Sequence, residues 1–109
     1  MSEGNPYAGE VVLTLDGERH VLKLTLGALA ELEAGLEADS LVALVERFET
    51  KAFSARDVIV LLLAGLRGGG WRGDVETLLS AEIEGGPLEV TRVAALLLGR
   101  AFALPGPLA

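Results

Sequence analysis

Three glycines, Gly68, Gly70 and Gly73, have the spacing G-x-G-x-x-G, which in dinucleotide-binding proteins lets the backbone approach a pyrophosphate closely. That chemistry requires a strand directly before the first glycine and a helix directly after the turn. The segment before Gly68 instead has the features of a helix, and the chain contains no G-x-x-x-x-G-K-[ST] phosphate loop. We therefore interpret residues 68–73 as a turn between helices, and we expect no nucleotide or other cofactor.

Arg67, Trp71 and Arg72 accompany these glycines, so the segment is also similar to one short copy of an Arg-Gly-rich RNA-binding sequence. The distribution of charge argues against that function. The net charge is −7, and residues 1–50 hold ten acidic and three basic residues, whereas residues 51–109 hold six of each. A phosphate backbone would be repelled by the acidic half, so we expect no nucleic-acid partner. Trp71 is then expected to cover the core or to belong to a contact surface.

Candidate catalytic and metal-binding residues are few. His20 is the only histidine and there is no cysteine, so a zinc site is not expected. We predict that His20 lies on the exposed face of a hairpin. Ser40, Ser54 and Ser80 stand in no recognisable nucleophile motif, and Ser54 is better explained as a helix cap. The sequence thus predicts no catalytic residue and no metal, and the protein is not expected to be an enzyme.

Acidic residues are concentrated between positions 31 and 49. This stretch has six acids and one base, Arg47; the acids are Glu31, Glu33, Glu37, Asp39, Glu46 and Glu49. Glu31 and Glu33 are two residues apart, so on a helix they point in different directions and do not form a catalytic pair. We predict that Glu33, Glu37 and Glu46, together with Trp71, contact a basic or amphipathic protein partner; the alternative is a solvated surface that aids solubility.

The first element that positions these residues is a predicted β-hairpin. Residues 10–15 and 20–26 flank Asp16-Gly17, a strong hairpin-turn signal. Leu22, Leu24 and Leu26 are expected to face one way, along with the apolar residues of the first strand. Because two strands alone are marginally stable, this face must pack on helices.

Helices are predicted over the rest of the chain. The first covers about residues 27–34, the second is capped by Asp39 or Ser40, and the third runs from Ser54 to about Arg67. Ser54 and Asp57 approximate a capping box at the start of the third helix. Its run from Val58 to Leu63 is apolar on every side, so it should be the most buried helix, although this run would also suit a buried strand.

Two further helices complete the prediction. Asp74 is expected to cap a short helix that turns Val75, Leu78, Leu79 and Ile83 inward, and Pro87 fits the first turn of the last helix. The predicted fold class is α+β, with an N-terminal β-hairpin packed on a bundle of four or five short helices. We expect a flexible arm at 1–9, a single α+β domain at 10–103 and a short tail at 104–109.

The longest apolar run, residues 58–66, is much shorter than the ~20 residues that a membrane-spanning helix needs, so no membrane association is expected. There is no signal-peptide pattern, and the lack of cysteine suits the cytoplasm, which is the expected location.

The order of the sequence blocks is similar to that of a known family. The predicted hairpin is followed by Leu24–Glu33, Asp39–Leu41, Phe53–Asp57 and Gly65–Gly70. This series resembles the small tail proteins encoded in gene transfer agents and related phages, usually grouped with tail assembly chaperones, and the match spans roughly residues 8–103. The resemblance implies a non-enzymatic role in binding the tape-measure or tail-tube protein, and it supplies no catalytic residues.

Alternatives to that role remain open: a structural component of the tail tube, or a nucleotide-binding domain that uses the glycines at 68–73. Self-association through the apolar helix faces is also compatible with the sequence.

Overall fold

The N-terminal element of this computed structural model, which describes residues 9–36 and 40–102, is an antiparallel hairpin. It consists of β1 (Val11–Leu15) and β2 (Glu18–Leu22), paired so that Val11 is opposite Leu22. Asp16 and Gly17 both have positive φ, 50° and 82°, which is the geometry that an Asp-Gly hairpin turn requires. The predicted turn is therefore confirmed. The predicted arm at 1–9, apart from its last residue, and the tail at 104–109 lie outside the described residues.

The second strand is shorter than predicted. It ends at Leu22, and Thr25 becomes the N-cap of α1 (Leu26–Gly35), where its hydroxyl accepts a hydrogen bond from the amide of Ala28 at 3.0 Å. The expectation that Leu26 faces inward with Leu22 is wrong, since Leu26 is 86% exposed. The reason is that the alternation of a strand stops where the chain begins to coil, and Leu26 is already the first residue of the helix.

Four further helices follow within the described part of the chain. They are α2 (Leu41–Glu49), α3 (Ala55–Gly68), α4 (Val75–Ser80) and α5 (Gly86–Ala101). Ser40 caps α2 and Asp74 caps α4, and Pro87 stands in the first turn of α5, as predicted. Together with the hairpin, the five helices confirm the α+β fold class.

The helix α3 is the centre of the fold. It packs against α1, α5 and β2, and it carries more buried side chains than any other described helix. Leu61, Leu62 and Leu66 have almost no exposed surface, so the prediction of a central, buried third helix is confirmed. Its start has the predicted capping box: Ser54 Oγ accepts from the Asp57 amide at 3.1 Å, and Asp57 Oδ2 accepts from the Ser54 amide at 2.9 Å.

The short helix α4 differs from the prediction in its inward face. Only Leu78 is buried, whereas Val75 is 38% and Leu79 60% exposed. A six-residue helix has fewer than two turns, so it presents only a narrow face to α3. Ile83 does not belong to the helix either, because it forms an isolated antiparallel bridge with Leu15.

Each edge of the hairpin is contacted in part by another segment of the chain. On the β1 side, the amide of Asp16 donates to Glu82 O at 2.8 Å, and the amide of Glu84 donates to Thr14 O at 3.1 Å. On the β2 side, the amide of Lys23 donates to Gly65 O of α3 at 2.9 Å. The hairpin is thus held between the segment that follows α4 and the C-terminal part of α3.

Candidate partner-binding surface

Gly68 and Gly69 have a packing role in the structure, whereas an added Cβ on Gly70 would meet no atom within 4 Å. A Cβ atom on Gly68 would lie 1.9 Å from the carbonyl oxygen of Lys23, and one on Gly69 would lie 1.7 Å from that of Val21. The end of α3 therefore meets β2 backbone to backbone, and only glycine allows that approach. Helix α3, rather than a strand, precedes Gly70, so the G-x-G-x-x-G spacing lacks the strand context of a dinucleotide site.

Trp71 lies over the turn that follows α3. Its amide donates to Leu66 O at 2.9 Å, its ring packs against the core, and a Cβ on Gly73 would lie 2.2 Å from that ring. The side chain also lines an open pocket together with Arg67, Gly70 and Arg72. Trp71 therefore packs on the core and is also accessible at an open pocket, and its contact with a partner stays a prediction.

His20 is placed differently from the prediction. It is directly opposite Leu13 in the hairpin, and residues that are opposite in an antiparallel pair share a face of the sheet. Since Leu13 is buried, His20 points to the core side, where its side chain is 22% exposed and Nε2 lies 3.7 Å from Glu18 Oε1. His20 and Leu22 are two residues apart in β2, so their side chains lie on the same face of the hairpin. This alternation was the sequence signal for the inward position of His20.

The serines have structural hydrogen bonds. Ser40 and Ser54 accept from backbone amides at helix starts, and Ser80 Oγ donates to Glu76 O at 2.9 Å. Within residues 9–36 and 40–102, no cluster of three or more His, Cys, Asp or Glu side chains could hold a metal ion. In the same ranges no helix is both long and apolar enough to cross a bilayer.

The predicted partner-binding residues occupy separate elements. Glu33 is exposed on α1, Glu46 is exposed on α2, and Trp71 lies after α3; Glu37 is outside the described residues. Neither Glu33 nor Glu46 lines the pocket of Trp71. Glu31 pairs with Arg67, one of the residues that line this pocket, since Glu31 Oε2 lies 3.4 Å from Arg67 Nη1.

An ion pair that the sequence did not reveal joins α2 to α3. Arg47 donates from Nε to Asp57 Oδ2 at 2.8 Å and from Nη2 to Asp57 Oδ1 at 2.9 Å, and the side chain of Asp57 is only 9% exposed. Beside it, the rings of Phe48 and Phe53 stack with centroids 4.5 Å apart. Arg47 lies off the apolar stripe of α2, so helical periodicity alone gave it no role. The base that the sequence places among the acids of α2 is therefore engaged by Asp57 of α3, while Glu46 and Glu49 are exposed.

This pair gives a prediction about pH. The hydrogen bonds from Arg47 hold the pKa of Asp57 below its ordinary value of 3.8, against the opposing effect of burial. A lowered folded-state pKa means that the carboxylate stabilises the fold above pH 3.8 and that this contribution is lost as the pH falls through the folded pKa. We expect Asp57→Asn to lower the free energy of unfolding at pH 7 by about 1.5–3 kcal/mol, the range for hydrogen bonds to charged groups.

Urea denaturation followed by circular dichroism, at pH 7 and at pH 3, measures this difference. The gap between wild type and Asp57→Asn should be smaller at the lower pH. Glu33→Gln is the matched control, because it also exchanges a carboxylate for an amide, at an exposed position on α1. A gap for Asp57→Asn that is the same at both pH values would contradict the assignment.

A groove lies between α2 and α5. Its lining is mostly apolar, with one acid at the side formed by α2; the residues are Val45, Phe48, Glu49, Ala95, Leu98, Gly99 and Phe102. Leu98 is buried at its base, whereas Phe102 is 43% exposed. A second apolar cleft, lined by Val58, Ile59, Ile83 and Val90 among others, lies between the starts of α3 and α5.

The described surface therefore includes exposed acids on α1 and α2, two apolar grooves, and a turn at which Gly68 and Gly69 allow close packing. A family model described as phage tail tube protein, GTA-gp10, matches residues 8–104. This match places the chain in the class of phage-like tail structural proteins. It also confirms the resemblance that the order of the sequence blocks indicated. The chain belongs to the phage tail tube protein, GTA-gp10, family. No curated protein and no solved structure matches it.

Proposed function

We propose that this tail protein acts as an assembly chaperone that binds the tail-tube or tape-measure protein in the cytoplasm before the tail is complete, without enzymatic activity. The observation that carries the proposal is that acids of α1 and of α2 lie at the surface. Glu33, Glu46 and Glu49 are exposed there, and Arg47, the one base of that stretch, is paired with Asp57 of α3. Such a surface attracts a basic partner segment and raises its rate of association.

A second candidate is a structural subunit of the tail tube. The description of the family, phage tail tube protein, favours it directly. The two roles differ in the composition of the finished tail, because a tube subunit remains in the particle whereas a chaperone is released.

Quantitative mass spectrometry of purified particles, compared with pull-downs from cells in which assembly is blocked, separates these roles. For a chaperone, we expect this chain to be absent from finished particles and to co-purify with the tail-tube or tape-measure protein before assembly. Its presence in particles in many copies would show that it is a tube component.

The role of the acidic surface is tested by changing Glu33 and Glu46 to glutamine. At low salt, the association rate with the tail partner should fall about three- to tenfold, because two attractive charges are removed from an exposed surface. Near 1 M salt the rates should converge, since the screening length shortens from about 10 Å at 0.1 M to about 3 Å. Stopped-flow or surface-plasmon kinetics over a salt series measures both effects.

The matched control changes Glu76 and Glu84 to glutamine, which removes the same net charge from exposed positions in the second half of the chain. This variant should associate nearly as fast as wild type. If both pairs of substitutions slow association equally, only net charge matters, and the surface of α1 and α2 has no specific role.

A further inference from the structure

The groove between α2 and α5 is open because two small residues stand on the exposed side of α5. Ala95 and Gly99 are exposed, and a Cβ added to Gly99 would meet no atom within 4 Å. Leu98 forms the base of the groove, and the ring of Phe102 stands at its end, 43% exposed. Ala95, Leu98, Gly99 and Phe102 recur at i, i+3, i+4 and i+7, so they form one stripe along the helix.

The side of the groove that α2 forms consists of two half-buried apolar residues, Val45 and Phe48, and the exposed Glu49. Their spacing continues the apolar stripe of the helix, which begins at the half-buried Leu41 and includes the fully buried Leu44. The core therefore covers Leu44 fully but leaves part of the apolar surface of Val45 and Phe48 exposed. A channel with apolar side chains on two adjacent helices is the geometry that accepts the apolar face of a third helix.

On the α2 side of the groove, the charges of the described residues are mostly acidic. Glu49 lines it and Glu46 is exposed one turn earlier on α2, while Lys51, after the helix, is the exposed base that partly offsets them. Two helix C-termini also lie at this end, since α2 ends at Glu49 and α5 ends at Ala101. Each helix C-terminus carries a partial negative charge.

The bases on these two helices near the groove are already engaged. Arg47 is bound to Asp57, and the guanidinium of Arg100 in the last turn of α5 donates to the carbonyl oxygen of Glu10. The negative side of the groove therefore complements a positively charged occupant.

We propose that this groove holds an amphipathic helix of another tail protein, with apolar residues at i, i+3, i+4 and i+7 on the groove floor and Lys or Arg residues beside Glu46 and Glu49. This inference rests on the proposed function and identifies the place where the tail partner docks. The apolar floor supplies the lasting affinity, and the acids fix the orientation of the bound helix.

Gly99→Leu tests the groove without disturbing the core. The leucine side chain projects from an exposed helical position into the open space of the groove, and leucine has a higher helix propensity than glycine. The thermal midpoint of unfolding should therefore not fall. Ala30→Leu is the matched control, since it adds an apolar side chain of the same kind to an exposed helical position on α1, outside the groove.

The probes are the tail-tube and tape-measure proteins encoded with this chain, each co-expressed with wild type, Gly99→Leu and Ala30→Leu. We expect at least one of them to bind wild type and Ala30→Leu alike, and to bind Gly99→Leu at least about tenfold more weakly. A photo-crosslinker at position 102 should attach to a segment of that protein that has the amphipathic and basic pattern.

The outcomes separate the inference from the function on which it rests. If wild type and Gly99→Leu bind a tail protein equally, the groove is not the docking site, although the proposed function stands. Crosslinks to an acidic segment, or to a second copy of this chain, also overturn the inference. If neither tail protein binds wild type, the proposed function fails, and the assignment of the groove fails with it.

Discussion

Replacing Gly69 with alanine is expected to lower the free energy of unfolding by about 3 kcal/mol, at the upper end of the range for overpacked sites. The new Cβ atom would lie 1.7 Å from the carbonyl oxygen of Val21 and 2.8 Å from its carbonyl carbon. These are backbone atoms, so no side-chain rotation relieves the contact. Strand β2 cannot move away cheaply either, since it is paired with β1 and tied to α3 through the Lys23 amide.

Thermal unfolding followed by circular dichroism measures this effect, and the midpoint should fall by about 10 °C or more. Gly99→Ala is the control. It makes the same chemical change on a helix, but the added atom meets nothing within 4 Å, so the midpoint should stay or rise. A Gly69→Ala protein as stable as wild type would show that α3 and β2 do not approach as closely as described.

Leu62→Asp is expected to unfold the domain. Leu62 is 1% exposed on α3, and an unpaired carboxylate at such a site costs several kcal/mol, in addition to the apolar contacts that are lost. That cost is comparable to the whole stability of a typical domain, about 5–15 kcal/mol. Far-UV circular dichroism and gel filtration of the purified variant should show loss of helix and of compact size.

The matched variant Leu88→Asp makes the same substitution at a residue that is 85% exposed in the first turn of α5. An acid there is favourable at a helix N-terminus, so this protein should fold normally. A folded Leu62→Asp protein would contradict the central position of α3.

The elements of the fold were predictable because their signals are local. The Asp16-Gly17 turn needs only two residues with positive φ, and the cap of α3 needs only Ser54 and Asp57 three positions apart. The burial of α3 followed from a run without a polar face. The predicted boundaries of the elements were less accurate. The alternation of Leu22, Leu24 and Leu26 predicted a strand up to Leu26, whereas Thr25 caps α1 and the strand ends at Leu22.

Features that join distant parts of the chain were not predictable from local pattern. Arg47 and Asp57 belong to different helices, and nothing in their spacing indicates that they form a bidentate pair. The bridge between Ile83 and Leu15 likewise depends on tertiary packing. Helical periodicity had assigned Ile83 to the short helix instead. The stripe of Ala95, Leu98, Gly99 and Phe102 was not singled out from the sequence, because its role depends on its position beside α2.

The contacts at the edges of the hairpin have a consequence for aggregation. An open strand edge can pair with the edge of another chain and recruit it into a mixed sheet. Here the backbone of β1 is met by residues 82–84, and β2 is met by the glycine-bearing end of α3. These contacts leave fewer backbone groups of the hairpin available for pairing with another chain, which lowers the risk of edge-to-edge aggregation.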